Sequence, residues 1–267
     1  MDVRKVKETL ADIGVFPDRK LGQTFLVDEA VAVREAEEAG VSSSGTVLEI
    51  GPGLGILTSE LCRRSRRVVA VEKDRRLAQY LYEEVGAANL AVIEGDALEI
   101  QLPEYDAAAG NLPYSSSSPI IFRLAGNGMR RGLFMIQKEV AARAAAVPFT
   151  AEYSRMSASL QRMYTVEYLF EVGHSHFYPV PDVDSAVIRL SRKDGAADWP
   201  EFDACITALF SQRRKTIHSV LRKSSSAYAS AGTKAPYSDR RVEELTIAQM
   251  EELVRWLGDN GIRLSLS

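Results

Sequence analysis

The sequence contains little cysteine and no long apolar segment. Its 267 residues include only Cys62 and Cys205, which lie far apart in the chain and form no CxxC pair. This scarcity argues against a disulfide framework and a cysteine-based zinc site, and it is typical of the reducing cytoplasm. No apolar run approaches the roughly 20 residues that a membrane-spanning helix needs, and the N-terminal residues lack the apolar core of a signal peptide. We therefore expect a cytoplasmic protein without a membrane partner.

The sequence also lacks the excess of positive charge that is typical of proteins that bind RNA phosphates. It has 33 Lys and Arg residues against 36 Asp and Glu residues, which gives a net charge of −3 at pH 7. Phosphates interact with one face of a protein rather than with its average charge, so local clusters have to decide this point. Histidine is scarce as well, and the pair His174 and His176 has no evident third metal ligand. We therefore expect no metal site.

Short apolar segments alternate with helical segments through the first half of the chain. This alternation is typical of βαβ units and predicts a parallel sheet. Residues 166–172 and 186–190 alternate polar and apolar side chains and predict an antiparallel closing pair. Together these segments predict an α/β fold with a Rossmann-like sheet of seven strands, mostly parallel with one antiparallel strand. The other predicted strands are residues 46–50, 68–72, 90–93, 105–109 and 133–136, and the first predicted helices are residues 56–63 and 77–85.

A change in composition predicts a domain boundary late in the chain. Gly, Ala, Asp and Pro are frequent in residues 193–200, after which helical periodicity returns in residues 204–222 and 247–257. Residues 224–237, which are rich in Ser, Ala, Gly and Lys, predict a mobile loop between these helices. We therefore predict two domains, which comprise residues 1–193 and a small helical domain of residues 194–267.

A glycine-rich turn follows the first predicted strand and precedes a helix. It contains Gly51, Gly53 and Gly55 directly after Glu49 and Ile50. Glycines there let the backbone turn sharply and approach a ligand, and the helix start offers free N–H groups. Glu72 ends the next strand about 20 residues later, where such folds place an acid that binds ribose hydroxyls. The pattern predicts a nucleotide-like cofactor, although a tight turn with a solvated glutamate is the alternative.

Two features favour S-adenosylmethionine over NAD as that cofactor. The Gly-x-Gly-x-Gly spacing, with Glu before it, differs from the dinucleotide fingerprint Gly-x-Gly-x-x-Gly. Asp96 follows the third predicted strand, where methyltransferases of this fold place an acid near the adenine amino group of the cofactor. The alternative for Asp96 is a helix N-cap or an Asx turn.

The segment Asn111-Leu112-Pro113-Tyr114 follows the fourth predicted strand and is the most specific feature of the chain. The N6 amine of adenine is a poor nucleophile because its lone pair is delocalised into the ring. Acceptors that hold its hydrogens favour a pyramidal nitrogen; the Asn111 side-chain oxygen can supply one and a backbone carbonyl fixed by Pro113 another. Tyr114 offers an aromatic face for a flipped base. Since the sulfonium already activates the methyl group, the site needs to position the reactants rather than to supply a metal or a strong base.

These motifs resemble the ribosomal RNA adenine dimethyltransferases of the KsgA type, and the resemblance covers nearly the whole chain. The glycine turn, Glu72, Asp96 and the Asn111 segment occur in the family's order. Further similar segments are residues 20–26, the family's N-terminal cofactor-closing segment, residues 137–143, residues 177–187, which lie beside the target base in the family, and residues 209–215.

The resemblance implies a monomeric methyltransferase that modifies adenines of small-subunit rRNA within a preribosomal particle. The implied product is N6,N6-dimethyladenosine, made by successive transfers from S-adenosylmethionine. It implies catalytic roles for Asn111, Leu112, Pro113 and Tyr114, and stacking of the base on Tyr114 and Phe177, although core packing is an alternative for Phe177. The implied cofactor-binding residues are Gln23, Thr24, Leu26, Gly51, Gly53, Glu72, Asp96 and Asn111.

Two local departures from the family pattern concern the site. Thr24 stands where the family usually has Asn, which alters one polar contact to the cofactor. Residues 115–118 are all serine, whereas the family tends to have a polar residue followed by Ile, so an apolar packing residue beside the catalytic segment is lost. Neither departure removes a group that the chemistry needs.

A cluster of basic residues in the predicted C-terminal domain is the candidate RNA contact. We predict that these residues lie on a helix without an intervening acid, where they either bind phosphates or form a solvated face. The resemblance favours phosphate binding. The residues are Arg213, Arg214, Lys215, Arg222 and Lys223.

Other functions remain open from the sequence. One is a large-subunit rRNA adenine methyltransferase of the resistance type, although the segment from Phe210 to Lys215 favours the small-subunit branch. An N6-adenine DNA methyltransferase is another, but those enzymes usually have Pro at the position of Leu112. The last is a non-catalytic ribosome assembly factor on the same fold, which predicts a damaged cofactor turn or a lost Asn111.

Overall fold

Seven strands form one sheet in the computed structural model, which describes residues 2–17, 23–230 and 232–264. The sheet order is β4-β3-β2-β5-β6-β9-β7, and a separate two-stranded sheet pairs β1 with β8. From β4 through β6 in this order, each strand is parallel to its neighbour, and β9 is antiparallel to β6. The strands are β1 (Phe25–Leu26), β2 (Thr46–Ile50), β3 (Arg67–Glu72), β4 (Leu90–Glu94), β5 (Ala107–Asn111), β6 (Arg131–Gln137), β7 (Tyr164–Val172), β8 (Phe177–Tyr178) and β9 (Ser185–Arg192).

The observed sheet confirms the predicted fold class. All five residues of β2 are buried, as are five of the seven residues of β6. Parallel strands covered on both faces form such continuous apolar runs, which is why sequence pattern located them. One strand is displaced: β5 begins at Ala107 rather than Tyr105, because Asp106 uses its backbone and carboxylate to bind Thr46 at the start of β2. Asn111 is therefore the last residue of β5.

The chain divides into two compact units, of which the first comprises residues 1–141 and 167–192. Its long sheet packs on α2 and α3 through one apolar cluster that includes Ala32, Leu57 and Val47. A second cluster joins α1 to Phe25 of β1. The helices of this unit are α1 (Val3–Asp12), α2 (Glu29–Glu38), α3 (Ile56–Arg64), α4 (Arg75–Tyr80), which continues as a π-helix over Leu81–Val85, α5 (Ser117–Gly126) and the start of α6 (Lys138–Ala145).

The second unit comprises residues 142–166 and 193–267 and is helical. Its core contains the fully buried side chains of Tyr153, Phe202 and Leu253, and the Tyr153 hydroxyl donates to the carbonyl of Leu245 at 3.1 Å. Its helices are α7 (Arg155–Met163), α8 (Pro200–Phe210), α9 (Ile217–Ser224), α10 (Ser226–Ser230) and α11 (Ile247–Asp259).

The predicted division of the chain requires a correction for residues 142–166. The composition of the chain predicts that they belong to the first domain, whereas in the structure they belong to the second unit. The physical reason is packing: Ala146, Tyr153 and Ala158 are buried in the same apolar cluster as Phe202. Composition along the chain does not show that an earlier segment packs against a later one.

Two predictions for the C-terminal residues were wrong. The predicted helix of residues 204–222 is interrupted by turns at residues 211–214, because no apolar residue lies between Phe210 and Ile217 to continue the buried face. The predicted mobile loop of residues 224–237 instead contains α10, whose Tyr228 is only 2% exposed and belongs to the core. Within the described ranges, no helix has both the length and the apolar character required to cross a bilayer.

Gly110 of β5 tests how closely β5 and β2 must approach. A Cβ at this position would lie 2.4 Å from the carbonyl oxygen of Ile50, which is backbone and cannot move aside. We expect Gly110→Ala to lower the free energy of unfolding by about 1–3 kcal/mol, as overpacking does, measured by chemical denaturation. Gly126→Ala is the matched control: a Cβ there meets no atom within 4 Å, and we expect it to be neutral or to stabilise α5 by up to about 1 kcal/mol. Equal effects of the two substitutions would contradict this account.

Candidate active site

A cavity opens in the first unit where several parallel strands reach their carboxyl ends. This edge of an α/β sheet is where such folds bind ligands. The strand ends contribute Glu72 from β3, Asn111 from β5 and Met135 from β6, and the glycine turn follows β2. The lining residues are Gln23, Thr24, Phe25, Gly51, Gly53, Glu72, Leu77, Asn111, Leu112, Pro113, Tyr114, Met135, Phe177 and Ser185.

The glycine turn has the conformation that its sequence predicts. Gly51, Gly53 and Gly55 have φ angles of +69°, +58° and +80°, in the left-handed region that favours glycine. A Cβ on Gly55 would lie 2.6 Å from Val85, so helix packing also excludes a side chain there. A Cβ on Gly53 would lie 3.2 Å from the ring of Phe25. The turn therefore presents bare backbone to the cavity.

Glu72 is held rigidly at the edge of this turn. Its carboxylate accepts hydrogen bonds from the backbone N–H of Gly53 at 3.2 Å and of Asp74 at 2.9 Å. Burial raises the pKa of Glu72, and these backbone hydrogen bonds oppose the rise. A fixed carboxylate at the cavity wall is suited to accept hydrogen bonds from the hydroxyls of a ribose.

Two of the predicted cofactor residues do not line the cavity. Asp96 accepts a hydrogen bond from the N–H of Leu98 at 2.8 Å, which is an Asx turn, and pairs with Lys73 at 2.8 Å. The hydrogen bond from Lys73 lowers the pKa of Asp96. Leu26 is 6% exposed and belongs to the apolar cluster under the sheet. A role for either residue in cofactor binding stays a prediction.

Asn111 lies beside the glycine turn with its side-chain oxygen unpaired. A Cβ on Gly51 would lie 3.8 Å from both the Asn111 carbonyl oxygen and Pro113, so the turn and the catalytic segment are in contact. The N–H of Leu112 donates to the Met135 carbonyl at 3.0 Å and anchors the segment to β6. Asn111 Oδ1 is buried and has no hydrogen-bond partner among the described residues. A buried acceptor without a partner is costly, and it is typical of a site that awaits a donor.

Tyr114 has its ring fixed by contacts of its hydroxyl group. The hydroxyl lies 2.7 Å from Ser185 Oγ. Burial raises the pKa of Tyr114. Thr24, one of the two local departures from the family pattern, lines the same cavity as the catalytic segment. Phe177 lines the cavity too, but it is only 3% exposed and packs in the core, so base stacking on Phe177 stays a prediction.

The serine run after Tyr114 starts a helix. Ser117 begins α5 and is 1% exposed, and the N–H of Ser116 donates to the carbonyl of Pro113 at 3.0 Å. The position that an apolar residue usually fills is Ser116, which is only partly buried. Of the segment similar to the family's N-terminal motif, residues 20–22 lie outside the described residues, while Gln23 and Thr24 line the cavity.

Several residues at this site were not predicted from the sequence. Met135 and Leu77 carry no motif of their own and reach the cavity through the fold, whereas Ser185 lies in the segment of residues 177–187 that the resemblance places beside the target base. Glu35 of α2 is fully buried, and its neighbours Ala32 and Ala36 pack in the same apolar cluster as Ala109 of β5. A signal for it existed, because it occupies an apolar-face position between Ala32 and Ala36. His174 Nδ1 lies against Asp184 and His176 Nδ1 lies against Asp28, so the two rings have different partners. In the part of the chain that the structure describes, no group of His, Cys, Asp and Glu residues could hold a metal ion.

The predicted RNA-binding residues form part of a turn and a helix end in the second unit. Arg213, Arg214 and Lys215 lie in or directly after the turns between α8 and α9, not on a helix, which corrects the prediction. Arg213 donates to the Ala151 carbonyl at 2.7 Å and lies 3.7 Å from Glu243, so it holds the turn in place. The exposed residues are Arg214, Lys215, Arg222 and Lys223.

Two further residues of the second unit adjoin the basic turn. Exposed Arg241 pairs with Thr216 in an antiparallel bridge. Phe149 is 70% exposed and has a φ of +70°, which is strained for a residue with a side chain. Its N–H donates to the Glu243 carbonyl at 3.0 Å, and the Glu243 N–H donates to the carbonyl of Arg213 at 3.2 Å. The backbone that carries this exposed aromatic ring is thus joined through Glu243 to the basic turn.

The chain is similar to known proteins over most of its length. A model of the ribosomal RNA adenine dimethylase family matches residues 17–259 of the chain. A Thermococcus onnurineus protein named probable ribosomal RNA small subunit methyltransferase A is 38% identical over 263 residues, which cover 95% of this chain and 97% of that protein. The ribosomal RNA small subunit methyltransferase A of Chlorobaculum tepidum is 39% identical over 238 residues, 86% of this chain and 85% of that protein.

Solved structures show the same fold. The crystal structure of a dimethyladenosine transferase from Plasmodium falciparum superposes with a TM-score of 0.82 at 26% identity, covering 90% of this chain and 100% of that one. The 23S rRNA methyltransferase ErmE gives a TM-score of 0.69 at 28% identity, covering 88% and 99%.

Glu72 tests whether the glycine turn binds the expected cofactor. We expect Glu72→Gln to weaken binding of S-adenosylmethionine roughly tenfold or more, since it removes the charged acceptor at the cavity wall, as measured by calorimetry. Glu94→Gln is the matched control, because Glu94 pairs with Glu72 in register on the next strand but is exposed and outside the cavity. Unchanged affinity in Glu72→Gln would show that the acid does not contact the cofactor.

Proposed function

The chain belongs to the ribosomal RNA adenine dimethylase family, and we propose that it transfers methyl groups from S-adenosylmethionine to N6 of adenines in small-subunit rRNA, giving N6,N6-dimethyladenosine. The observation that carries this proposal is the buried, unpaired Asn111 Oδ1 next to the left-handed glycine turn. The small-subunit names of the relatives that span nearly the whole chain support the choice of RNA.

The residues around the turn fit S-adenosylmethionine. Gly51 and Gly53 present bare backbone, and Glu72 presents a fixed carboxylate for ribose hydroxyls. The cofactor, when bound, supplies a methyl group activated by a sulfonium. The protein therefore has to bind, orient and desolvate the reactants. This reaction does not require a strong base in the cavity.

Asn111 has the chemistry to hold the adenine amine. Its Oδ1 can accept one N6–H, and the backbone carbonyl of the segment fixed by Pro113 can accept the other. Both acceptors favour the pyramidal nitrogen that is able to attack, and they stabilise the positive charge that develops on N6. Tyr114, with its hydroxyl tied to Ser185, offers the rigid aromatic ring on which a flipped base can stack.

The alternatives fit the molecule less well. A non-catalytic assembly factor has no need of three left-handed glycines and an unpaired Asn111 Oδ1, yet both are present. The similarity to ErmE shows that the resistance-type enzymes share the fold. Relatives named for the small subunit, similar over 95% and 86% of this chain, favour the small-subunit substrate.

The second unit offers the surface that we expect to contact RNA. Arg214, Lys215 and Arg241 are exposed on adjoining segments and can bind phosphates. Phe149 beside them can stack on an unpaired base, because aromatic rings interleaved with cations are typical of single-strand binding sites. This arrangement supports binding of an RNA loop rather than of a duplex.

Asn111→Ala tests the amine-holding role. We expect kcat for methyl transfer to undermethylated small subunits to fall by roughly 10²–10³-fold, because one preorganised acceptor for the developing charge is lost. Binding of labelled S-adenosylmethionine should change far less. Asn127→Ala, an exposed asparagine after α5, is the control. Transfer at the wild-type rate in Asn111→Ala would refute the proposed role.

Phe149→Gly separates an effect on RNA binding from an effect on folding, because we expect it to weaken RNA binding without lowering thermal stability. Glycine adopts a φ of +70° without strain, so we expect the thermal midpoint to stay equal or to rise. We expect affinity for small subunits to fall roughly five- to a hundredfold, which corresponds to one lost stacking contact. Phe16→Gly, which removes another exposed ring, is the control. Unchanged RNA affinity in Phe149→Gly would exclude the stacking role.

A further inference from the structure

A short helical turn of residues 174–176, which we call the histidine turn, carries two histidines to which the proposed mechanism assigns no task. Each imidazole has its own partner: His174 Nδ1 lies 2.7 Å from Asp184 Oδ1, and His176 Nδ1 lies 2.8 Å from Asp28 Oδ2. A carboxylate can only accept, so each Nδ1 carries the hydrogen and donates. The histidine turn therefore joins two segments that are far apart in the sequence.

The segment that ends at Asp28 forms one wall of the cavity. It contains β1, which is only two residues long and pairs with β8, and the N–H of Val27 donates to the His176 carbonyl at 2.9 Å. Few main-chain bonds hold so short a strand, and the bond from His176 to Asp28 adds to them. Phe25 of β1 lines the cavity and packs against the glycine turn, since a Cβ on Gly53 would lie 3.2 Å from its ring. The position of β1 thus sets the wall that faces the cofactor turn.

The segment that begins at Asp184 leads to the catalytic tyrosine. His174 donates both its backbone N–H, at 2.9 Å, and its ring N–H to the same oxygen of Asp184. The next residue, Ser185, begins β9, is fully buried, and places its Oγ 2.7 Å from the Tyr114 hydroxyl. Because Ser185 has no exposed surface, we expect it to act on a bound base through Tyr114. His174 thus reaches the catalytic segment through two bonded neighbours.

Both aspartates are also bonded to helix starts, so the histidine turn is tied to fixed points. Asp28 Oδ1 accepts a hydrogen bond from the N–H of Ala30 at the start of α2, at 2.8 Å. The carbonyl of Asp184 accepts one from the N–H of Lys138 at the start of α6, at 3.0 Å. Partly exposed pairs of this kind contribute little to stability. Their removal should therefore change the position of the two segments more than the stability of the fold.

We propose that the histidine turn positions two walls of the cavity independently of each other. Through His176 it holds β1 against the cofactor turn. Through His174 it holds Ser185, and thereby the ring of Tyr114. The hydroxyl of a tyrosine lies on the axis of its ring, so a hydrogen bond to it fixes the direction in which the ring points. This inference rests on the proposed function, because S-adenosylmethionine and the target adenine are the ligands that the two walls face.

Replacing each histidine by alanine should separate the two walls. We expect His176→Ala to raise the Kd for S-adenosylmethionine roughly three- to tenfold, as one lost hydrogen bond would, and to change kcat less than twofold. We expect His174→Ala to lower kcat for methylation of undermethylated small subunits by a similar factor and to change the Kd less than twofold. Ser175→Ala, at the exposed residue between them, is the matched control.

Two further sets of variants distinguish positioning from a general effect on folding. Asparagine places its Nδ2 about where histidine has Nδ1, so His174→Asn and His176→Asn should return to within twofold of the wild type. His174→Ala should cause no further loss of kcat when added to Ser185→Ala. The proposal is overturned if both alanine variants change Kd and kcat alike, if they match Ser175→Ala, or if the asparagine variants remain as impaired as the alanine ones.

The bond at the tyrosine can be followed without methyl transfer. In protein labelled with ¹³C at the phenol carbon of tyrosine, the NMR signal of Tyr114, assigned with Tyr114→Phe, should shift in Ser185→Ala and in His174→Ala but not in His176→Ala. A signal that stays in place in His174→Ala would contradict the proposal. If the signal and the cofactor affinity respond as expected but the wild type leaves small subunits unmethylated, the proposed function is wrong and the role of the histidine turn is upheld.

Discussion

The close approach of β5 to β2 at Gly110 is the constraint on which the site depends. The carbonyl oxygen of Ile50 occupies the place of a Cβ, so only glycine lets the two strand ends come together. That approach sets Asn111 and Pro113 against Gly51, and it joins the catalytic segment to the glycine turn in one cavity. Two hydrogen bonds then tie the turn to β3, from Gly51 to Val71 and from Gly53 to Glu72. Cofactor turn and amine-holding residue are thus fixed by backbone packing before any ligand binds.

The first unit contains three buried glutamates: Glu72 lines the cavity, and Glu35 and Glu49 lie on α2 and β2. Burial raises the pKa of Glu35 and of Glu49 from 4.5 to about 8, and it also raises the pKa of Glu72. A carboxyl group whose pKa is raised by folding destabilises the folded state increasingly as pH rises from its ordinary pKa to the raised one.

The second unit has both paired and exposed basic residues at its surface. Arg213 is used internally, where it bonds to the loop of Ala151 and pairs with Glu243. Arg214 and Lys215 are exposed, and a backbone hydrogen bond to Glu243 joins the strained residue Phe149 to the same segment. Exposed cations and an exposed aromatic ring are thus present in this unit although the overall charge is −3. Binding of an anionic partner depends on that local arrangement rather than on the average charge.

The sequence by itself determined the parallel sheet, the left-handed glycine turn and the Asn111 segment. Buried parallel strands are continuous apolar runs, and their carboxyl ends meet at one edge, so local pattern is sufficient to predict them. Only the tertiary structure decided that Ser185 holds Tyr114, that residues 142–166 pack with the second unit, and that Arg213 and Arg214 lie in a turn. Each of these depends on side chains from distant segments packing together. Local periodicity does not encode such contacts, because it records which face of an element is buried but not what it is buried against.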